Sequence, residues 1–134
     1  MKTIASALAF GLLAMPGLAK DMTYLCRLDV AKTQQWVPAQ VAILHVSGDK
    51  TAVVNDPIIV HLLKRPVTAK VVADNAERIT FTWELPRGRN SAGQETPQFL
   101  YRASYFKKTG KVHISATPAG FRNTFGAYGI CAVK

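Results

Sequence analysis

The sequence has few of the residues that usually carry out catalysis or hold metals. It contains only two cysteines, three histidines and eight acidic residues. The histidines, His45, His61 and His113, lie far apart, and none is close to a second ligand at the spacing of a zinc site. We therefore expect no metal site and no cofactor.

Motifs for nucleophilic and phosphate chemistry are also missing. There is no Gly-x-Ser-x-Gly elbow and no phosphate-cradling glycine loop, because Gly88 and Gly93 stand in a segment typical of a surface loop. The acidic residues include no evident pair for acid–base catalysis. The sequence thus predicts no catalytic residues and a protein that is not an enzyme.

No apolar run is long enough to cross a bilayer, which takes about 20 residues. The longest, Ile4–Met15, follows the charged Lys2 and ends at the helix-breaking pair Pro16-Gly17. A charged start, an apolar centre and a small residue at Ala19 are typical of a Sec-type signal peptide. We predict a bacterial signal peptide over residues 1–19 and cleavage after Ala19.

Removal of this segment would leave residues 20–134 as a single secreted domain with no transmembrane segment. A lipid anchor on Cys26 is excluded, because Thr23-Tyr24-Leu25 lacks the small residues that such a site requires. The predicted location is the periplasm or the extracellular space. In an oxidising compartment an even number of cysteines favours a disulfide, and the two cysteines allow only Cys26–Cys131.

Acidic residues are scarce relative to basic ones. Without Lys2, sixteen basic residues face eight acidic ones, a net charge of +8, and the basic residues are densest at Lys64-Arg65, Arg87–Arg89 and Lys107-Lys108. Outside the cytoplasm nucleic acid is not an expected partner. An anionic component of the cell envelope or another periplasmic protein fits better, although the charge could also serve only solubility.

Strand patterns dominate the remaining sequence. In Arg78–Leu85, apolar side chains alternate with polar ones, which predicts a half-buried antiparallel strand. Similar segments separated by turn residues predict about eight strands: Met22–Leu28, Gln40–Val46, Thr51–Asn55, Val67–Ala73, Arg78–Leu85, Gln98–Lys107, Lys111–Thr117 and Thr124–Val133. Residues 57–65 have a helix N-cap in Asp56 but begin with β-branched residues, so helix and strand both remain open, and a short helical or irregular crossover is favoured.

The predicted fold is all-β, a single small antiparallel barrel closed by the disulfide. Because Cys26 and Cys131 lie in the first and last predicted strands, the bridge would make those strands neighbours, as barrel closure requires. The alternative is a β-sandwich with the bridge between its sheets. Trp83 lies too far along the chain from Cys26 to match the immunoglobulin pattern.

Two segments are candidates for binding. The predicted loop Pro86–Pro97 contains Arg87 and Arg89, and long loops often carry function. The run before Cys131 mixes aromatic residues with glycines, and its candidate binding residues are Phe121, Arg122, Asn123 and Phe125. Alternatively, the side chains of Phe121, Phe125 and Tyr128 fill the barrel end, and Asn123 stabilises a turn. Gly126 and Gly129 would let the last strand bend where the barrel closes, or would let a large side chain lie over the bare backbone.

Tyr24-Leu25-Cys26 near the predicted mature start, the all-β body and the closing cysteine loosely resemble the small periplasmic inhibitors of C-type lysozyme. That resemblance implies a barrel with a loop that enters the lysozyme cleft, and Asn90-Ser91-Ala92-Gly93 is similar to the small-residue loop of that family. The net charge of +8 opposes this function, since such lysozymes are themselves basic.

The sequence thus leaves three hypotheses for function. The first is a non-catalytic binding or interaction module. The second is a carrier of a small apolar ligand inside the barrel, lined by aromatic residues such as Trp83, Tyr101 and Tyr105. The third is a periplasmic hydrolase inhibitor of the lysozyme type.

The signal peptide prediction can be tested by mass spectrometry. The intact protein from the periplasm or medium of an expressing bacterium should begin at Lys20, since signal peptidase needs a small residue before the cut. Ala19→Arg should leave the precursor uncut. A secreted protein that retains residues 1–19 would contradict the prediction.

Overall fold

The structure is a computed structural model that describes residues 20–89 and 92–134. The predicted signal peptide therefore lies outside the described residues. The described part contains ten strands and one α-helix: β1 (Asp21–Asp29), β2 (Gln40–Val46), β3 (Thr51–Asn55), α1 (Pro57–Leu63), β4 (Val67–Asp74), β5 (Arg78–Leu85), β6 (Gly88–Arg89), β7 (Glu95–Thr96), β8 (Phe99–Phe106), β9 (Lys111–Pro118) and β10 (Phe125–Val133). No helix among the described residues has the length and apolar character needed to span a membrane.

Eight of the strands form one closed antiparallel barrel, in the order β1-β10-β9-β8-β5-β4-β3-β2. This confirms the predicted all-β barrel and excludes the sandwich alternative. The eight predicted strands match these eight, and the ambiguous segment after Asn55 is helical. Its N-cap is Asp56, whose carboxylate accepts a hydrogen bond from the backbone N–H of Ile59 at 2.8 Å.

The two short strands were not predicted. β6 and β7 pair with each other inside the predicted loop Pro86–Pro97 and form a small two-stranded sheet beside the barrel. Their pairing covers only Gly88 with Thr96 and Arg89 with Glu95. Strands this short show no alternating pattern in the sequence.

Aromatic rings fill much of the barrel interior. Trp83 stacks on Tyr101 with ring centroids 5.4 Å apart, and Tyr24 meets Phe81 edge-on at 5.6 Å. These side chains are all nearly inaccessible to solvent. Trp83 and Tyr101, two of the three rings that were expected to line a cavity, thus contact each other, as in a close-packed core.

The barrel closes where β1 pairs with β10. Cys26 lies directly opposite Cys131 in this pairing, and the two form the predicted disulfide. Close by, a Cβ on Gly129 would overlap the carbonyl oxygen of Arg27, so the strands can approach this closely only with glycine there. Gly126 has a different role. The imidazole of His113 lies over its backbone, and a Cβ on Gly126 would be 3.3 Å from the Nε2 of that ring.

The disulfide should stabilise the fold mainly by restricting the unfolded chain. It joins residues 105 positions apart, for which chain entropy predicts about 4–5 kcal/mol. We expect the double variant Cys26→Ser/Cys131→Ser to lose about that much free energy of unfolding in urea titrations. The wild type in reductant should match it. Equal stability of the oxidised wild type and the variant would refute a structural role for the bridge.

Candidate binding surface at the loop end

The two ends of the barrel differ in the length of their connections. Because the strands run alternately up and down, successive connections lie at opposite ends. One end, here the turn end, has the short connections 47–50, 75–77 and 107–110. The other, the loop end, has the longer connections 30–39, 56–66, 86–98 and 119–124. Both segments predicted to bind a partner therefore reach the loop end.

The connection between β1 and β2 folds over the opening at the loop end. Its Trp36 stacks on Phe99 at the start of β8, with ring centroids 4.3 Å apart. The hydroxyl of Tyr101 donates a hydrogen bond to the Trp36 carbonyl at 2.7 Å. The side-chain oxygen of Gln34 accepts one from the backbone N–H of Gly126 at 2.8 Å. These contacts close the loop end with a fixed platform.

Helix α1 covers the neighbouring part of the same end. Its residue Ile59 is buried in the core, and Lys64 ends the helix in the left-handed conformation, with φ at 56°. The exposed side chains of Lys64 and Arg65 follow this end. Burial raises the pKa of the Asp56 carboxyl from 3.8 to about 6, although the helix N–H groups of Ile59 and Ile58 partly offset the effect.

The β6–β7 hairpin adds a third part to the surface. Thr96 accepts a hydrogen bond from the Gly88 N–H through its hydroxyl at 3.2 Å, which holds the hairpin closed. Arg89 donates to the Gly93 carbonyl at 3.0 Å and lies 3.8 Å from the Glu95 carboxylate. The guanidinium of Arg89 is thus engaged within the hairpin, whereas Arg87 is exposed without such a partner among the described residues.

The connection between β9 and β10 lies beside the hairpin segment. The N–H of Ala119 donates to the Gln98 carbonyl at 2.7 Å, and Gly120 turns the chain with φ at 83°. This turn leaves Phe121 60% exposed, next to the exposed Arg122 and Asn123. An aromatic ring held in solvent on a fixed turn is a common anchor for a partner.

The six predicted binding residues therefore have different environments. Arg87, Phe121, Arg122 and Asn123 are exposed at the loop end. Phe125 instead packs against the core, with its ring centroid 6.5 Å from that of Phe99. The alternative prediction was that Phe121, Phe125 and Tyr128 fill the barrel end. The structure agrees with it only for Phe125. Tyr128 is 69% exposed on the barrel wall, where it contacts the His113 ring.

The connections at the loop end carry cations that form no ion pair within the described residues. Five exposed cations on its connections have no ion-pair partner in the described part of the chain: Lys32, Lys64, Arg65, Arg87 and Arg122. At the turn end, Lys107 pairs with Asp74 at 2.7 Å and Lys108 with Glu77 at 2.9 Å, while Lys50 and Arg78 are exposed without an ion-pair partner among the described residues. The sequence revealed these loop-end cations only as scattered charges, since they come from four different connections.

An apolar groove runs along the outer wall of the barrel, apart from the six predicted residues. Its volume is about 660 Å³, and it is lined by the exposed side chains of Leu25, Val60 and Ile130 together with Arg27. Successive side chains of a strand point to opposite faces of the sheet. Because Cys26 and Cys131 point inward, their neighbours Leu25 and Ile130 point to the outer face. No local sequence pattern indicates this groove, because its residues come from β1, β2, β10 and α1.

Within residues 20–89 and 92–134, no three His, Cys, Asp or Glu side chains come close enough to hold a metal ion. Comparisons with protein families, curated proteins and solved structures found no match to this chain. The functional proposals below therefore depend on the geometry of the chain itself.

The raised pKa of Asp56 makes a prediction about stability and pH. A raised carboxyl pKa favours folding while the group is protonated; this contribution is complete below about pH 4 and is lost as the pH rises through about 6. Asp56→Asn keeps an N-cap acceptor without the charge. We expect it to raise the free energy of unfolding at pH 8 by up to about 3 kcal/mol and to change it little at pH 4.

Urea unfolding at both pH values would measure this difference. Asp29→Asn is the control, because Asp29 is an exposed carboxylate at the end of β1. An Asp56→Asn protein that is less stable than the wild type at pH 8 would contradict the inferred cost of the buried charge.

Proposed function

We propose that this protein is a non-catalytic binding module, secreted by a bacterium to the periplasm or beyond, that binds an anionic polysaccharide of the cell envelope through its loop end. The proposal includes the predicted signal peptide, with which the disulfide is compatible. The observation that carries it is the group of five exposed, unpaired cations around one end of the barrel.

The distribution of these cations favours an extended anionic partner. They are spread over four connections around the rim rather than gathered in one pocket, so a polymer with repeated charges could contact several at once. Arg87 and Arg122 could each hold a carboxylate or phosphate with two parallel hydrogen bonds. Because the loop end is exposed, these contacts would weaken as salt screens the charges.

Phe121 favours a polymer with sugar rings. Its 60% exposure beside Arg122 combines an apolar face with a cation. A ring in this position could lie against the apolar face of a sugar while Arg122 binds an acidic substituent. Backbone hydrogen bonds hold the turn that carries Phe121, from Ala119 N–H to the Gln98 carbonyl and from Phe121 N–H to the Pro118 carbonyl. Binding would therefore cost little conformational entropy in this turn.

The other two hypotheses receive less support from the geometry. A carrier with its apolar ligand in the middle of the barrel needs space there, whereas Trp83 and Tyr101 stack on each other in the core. A lysozyme-type inhibitor would use the loop around Asn90-Ser91, which lies outside the described residues. Its flank is basic, which would oppose docking on a basic enzyme.

Binding to dextran sulfate, with neutral dextran as the reference, would test the proposal. We expect the wild type to bind dextran sulfate in a salt-dependent manner. The double variant Arg87→Gln/Arg122→Gln should bind roughly 30-fold more weakly at low salt, at about 1 kcal/mol for each cation near an anionic surface. Isothermal titration calorimetry at two salt concentrations measures both effects.

A matched variant separates a local site from net charge. Lys50→Gln/Arg78→Gln removes two exposed, unpaired cations from the turn end and should change affinity much less. Phe121→Ser should weaken binding, whereas Leu44→Ser, on the barrel wall, should not. Equal losses for the two charge variants would overturn the loop-end assignment, and binding only to acidic proteins would replace the polysaccharide with a protein partner.

A further inference from the structure

The turn end of the barrel remains open as a small pocket. Its volume is about 320 Å³, which is at the lower limit of small-molecule sites. Tyr24 and Tyr105 line it from inside the barrel, with ring centroids 5.1 Å apart, and Met22 and Ile79 supply apolar surface. The paired side chains of Asp74 and Lys107 stand at its rim.

Hydrogen-bond donors without protein partners face this pocket. Tyr24 is only 4% exposed, yet its hydroxyl has no hydrogen-bond partner among the described residues, and the same is true of the Tyr105 hydroxyl. Burial, and then the nearby Asp74 charge, raises the pKa of Tyr24, so its hydroxyl keeps its proton. The Lys107 ammonium has three hydrogen-bond donors and donates one of them to Asp74, so two remain for a ligand.

The other polar side chains around the pocket are those of Ser47, His45 and Asp74, and the Ser47 hydroxyl has no partner among the described residues. The Nε2 of His45 lies 2.8 Å from the Asp49 carbonyl, which can only accept, so this nitrogen carries the hydrogen. Asp74 forms an ion pair with Lys107, so their formal charges cancel, but the Asp74 charge still acts on the Tyr24 hydroxyl, and an anionic ligand there needs the Lys107 ammonium as a direct partner. The groups still free to bond are mostly hydroxyls, together with the two remaining hydrogens of the Lys107 ammonium, so the pocket favours a ligand that brings an acceptor.

We propose that the turn-end pocket binds a small monocarboxylate with a short apolar body. Its carboxylate would accept hydrogen bonds from the hydroxyls of Tyr24 and Tyr105 and from the Lys107 ammonium. Its apolar part would lie against Met22 and Ile79. This site is on the opposite end of the barrel from the proposed polysaccharide surface and does not depend on it.

Octanoate is a suitable probe, with octylamine as the control of the same chain length and opposite charge. Two-dimensional NMR of the full domain should show octanoate shifting signals of Met22, Tyr24, His45 and Tyr105. Tyr24→Phe should weaken octanoate binding by about tenfold or more, as expected for a lost hydrogen bond to a charged group. Tyr105→Phe should also weaken octanoate binding, and it replaces Tyr24→Phe as the test if the Tyr24→Phe protein does not fold.

Tyr128→Phe is the matched control, because it removes a hydroxyl from an exposed tyrosine on the barrel wall. Its affinity for octanoate should equal that of the wild type. Three results would overturn the proposal: no shifts at millimolar octanoate, equal binding of octylamine in the pocket, or octanoate shifts confined to Leu25, Val60 and Ile130 in the outer groove. Loss of dextran sulfate binding by Arg87→Gln/Arg122→Gln should leave octanoate binding unchanged, so the two sites can fail separately.

Discussion

The pairing of β1 with β10 is the constraint on which the rest of the structure depends. It gives the first and last strands a neighbour on both sides, so the sheet has no free edge. The Cys26–Cys131 bridge fixes the register of that pairing, and Gly129 lets the two backbones meet. Once the register is fixed, alternation decides which side chains enter the core and which face solvent.

Connection length explains why the two ends of the barrel differ. A connection of ten residues, such as 30–39, can fold back over the opening and place Trp36 on Phe99. The tight turns at the other end only reverse the chain and cannot reach across the barrel. The loop end is therefore covered and carries exposed charge, whereas the turn end stays open above Tyr24 and Tyr105.

Ion pairs between side chains are present at both ends of the barrel. At the turn end, short turns hold Lys107 and Lys108 beside carboxylates of the adjoining β4–β5 segment, Asp74 and Glu77. At the loop end, Asp56 is buried as a helix cap and Glu95 lies beside Arg89, whereas the exposed Asp29 at the end of β1 forms no ion pair within the described residues. Unpaired cations therefore occur at both ends, and the loop end differs in carrying them on long connections beside the exposed ring of Phe121.

The sequence by itself determined the eight barrel strands and the disulfide pairing, because alternation and cysteine count are local signals, whereas it left helix and strand both open after Asn55. It also identified Arg87, Phe121 and Arg122 as candidates. Only the tertiary structure decided that these residues share one end with Lys32 and Lys64, that Phe125 packs inward, and that Tyr24 and Tyr105 meet in a pocket. Such sites join residues from distant strands, and their proximity depends on barrel closure and register, which no local pattern specifies.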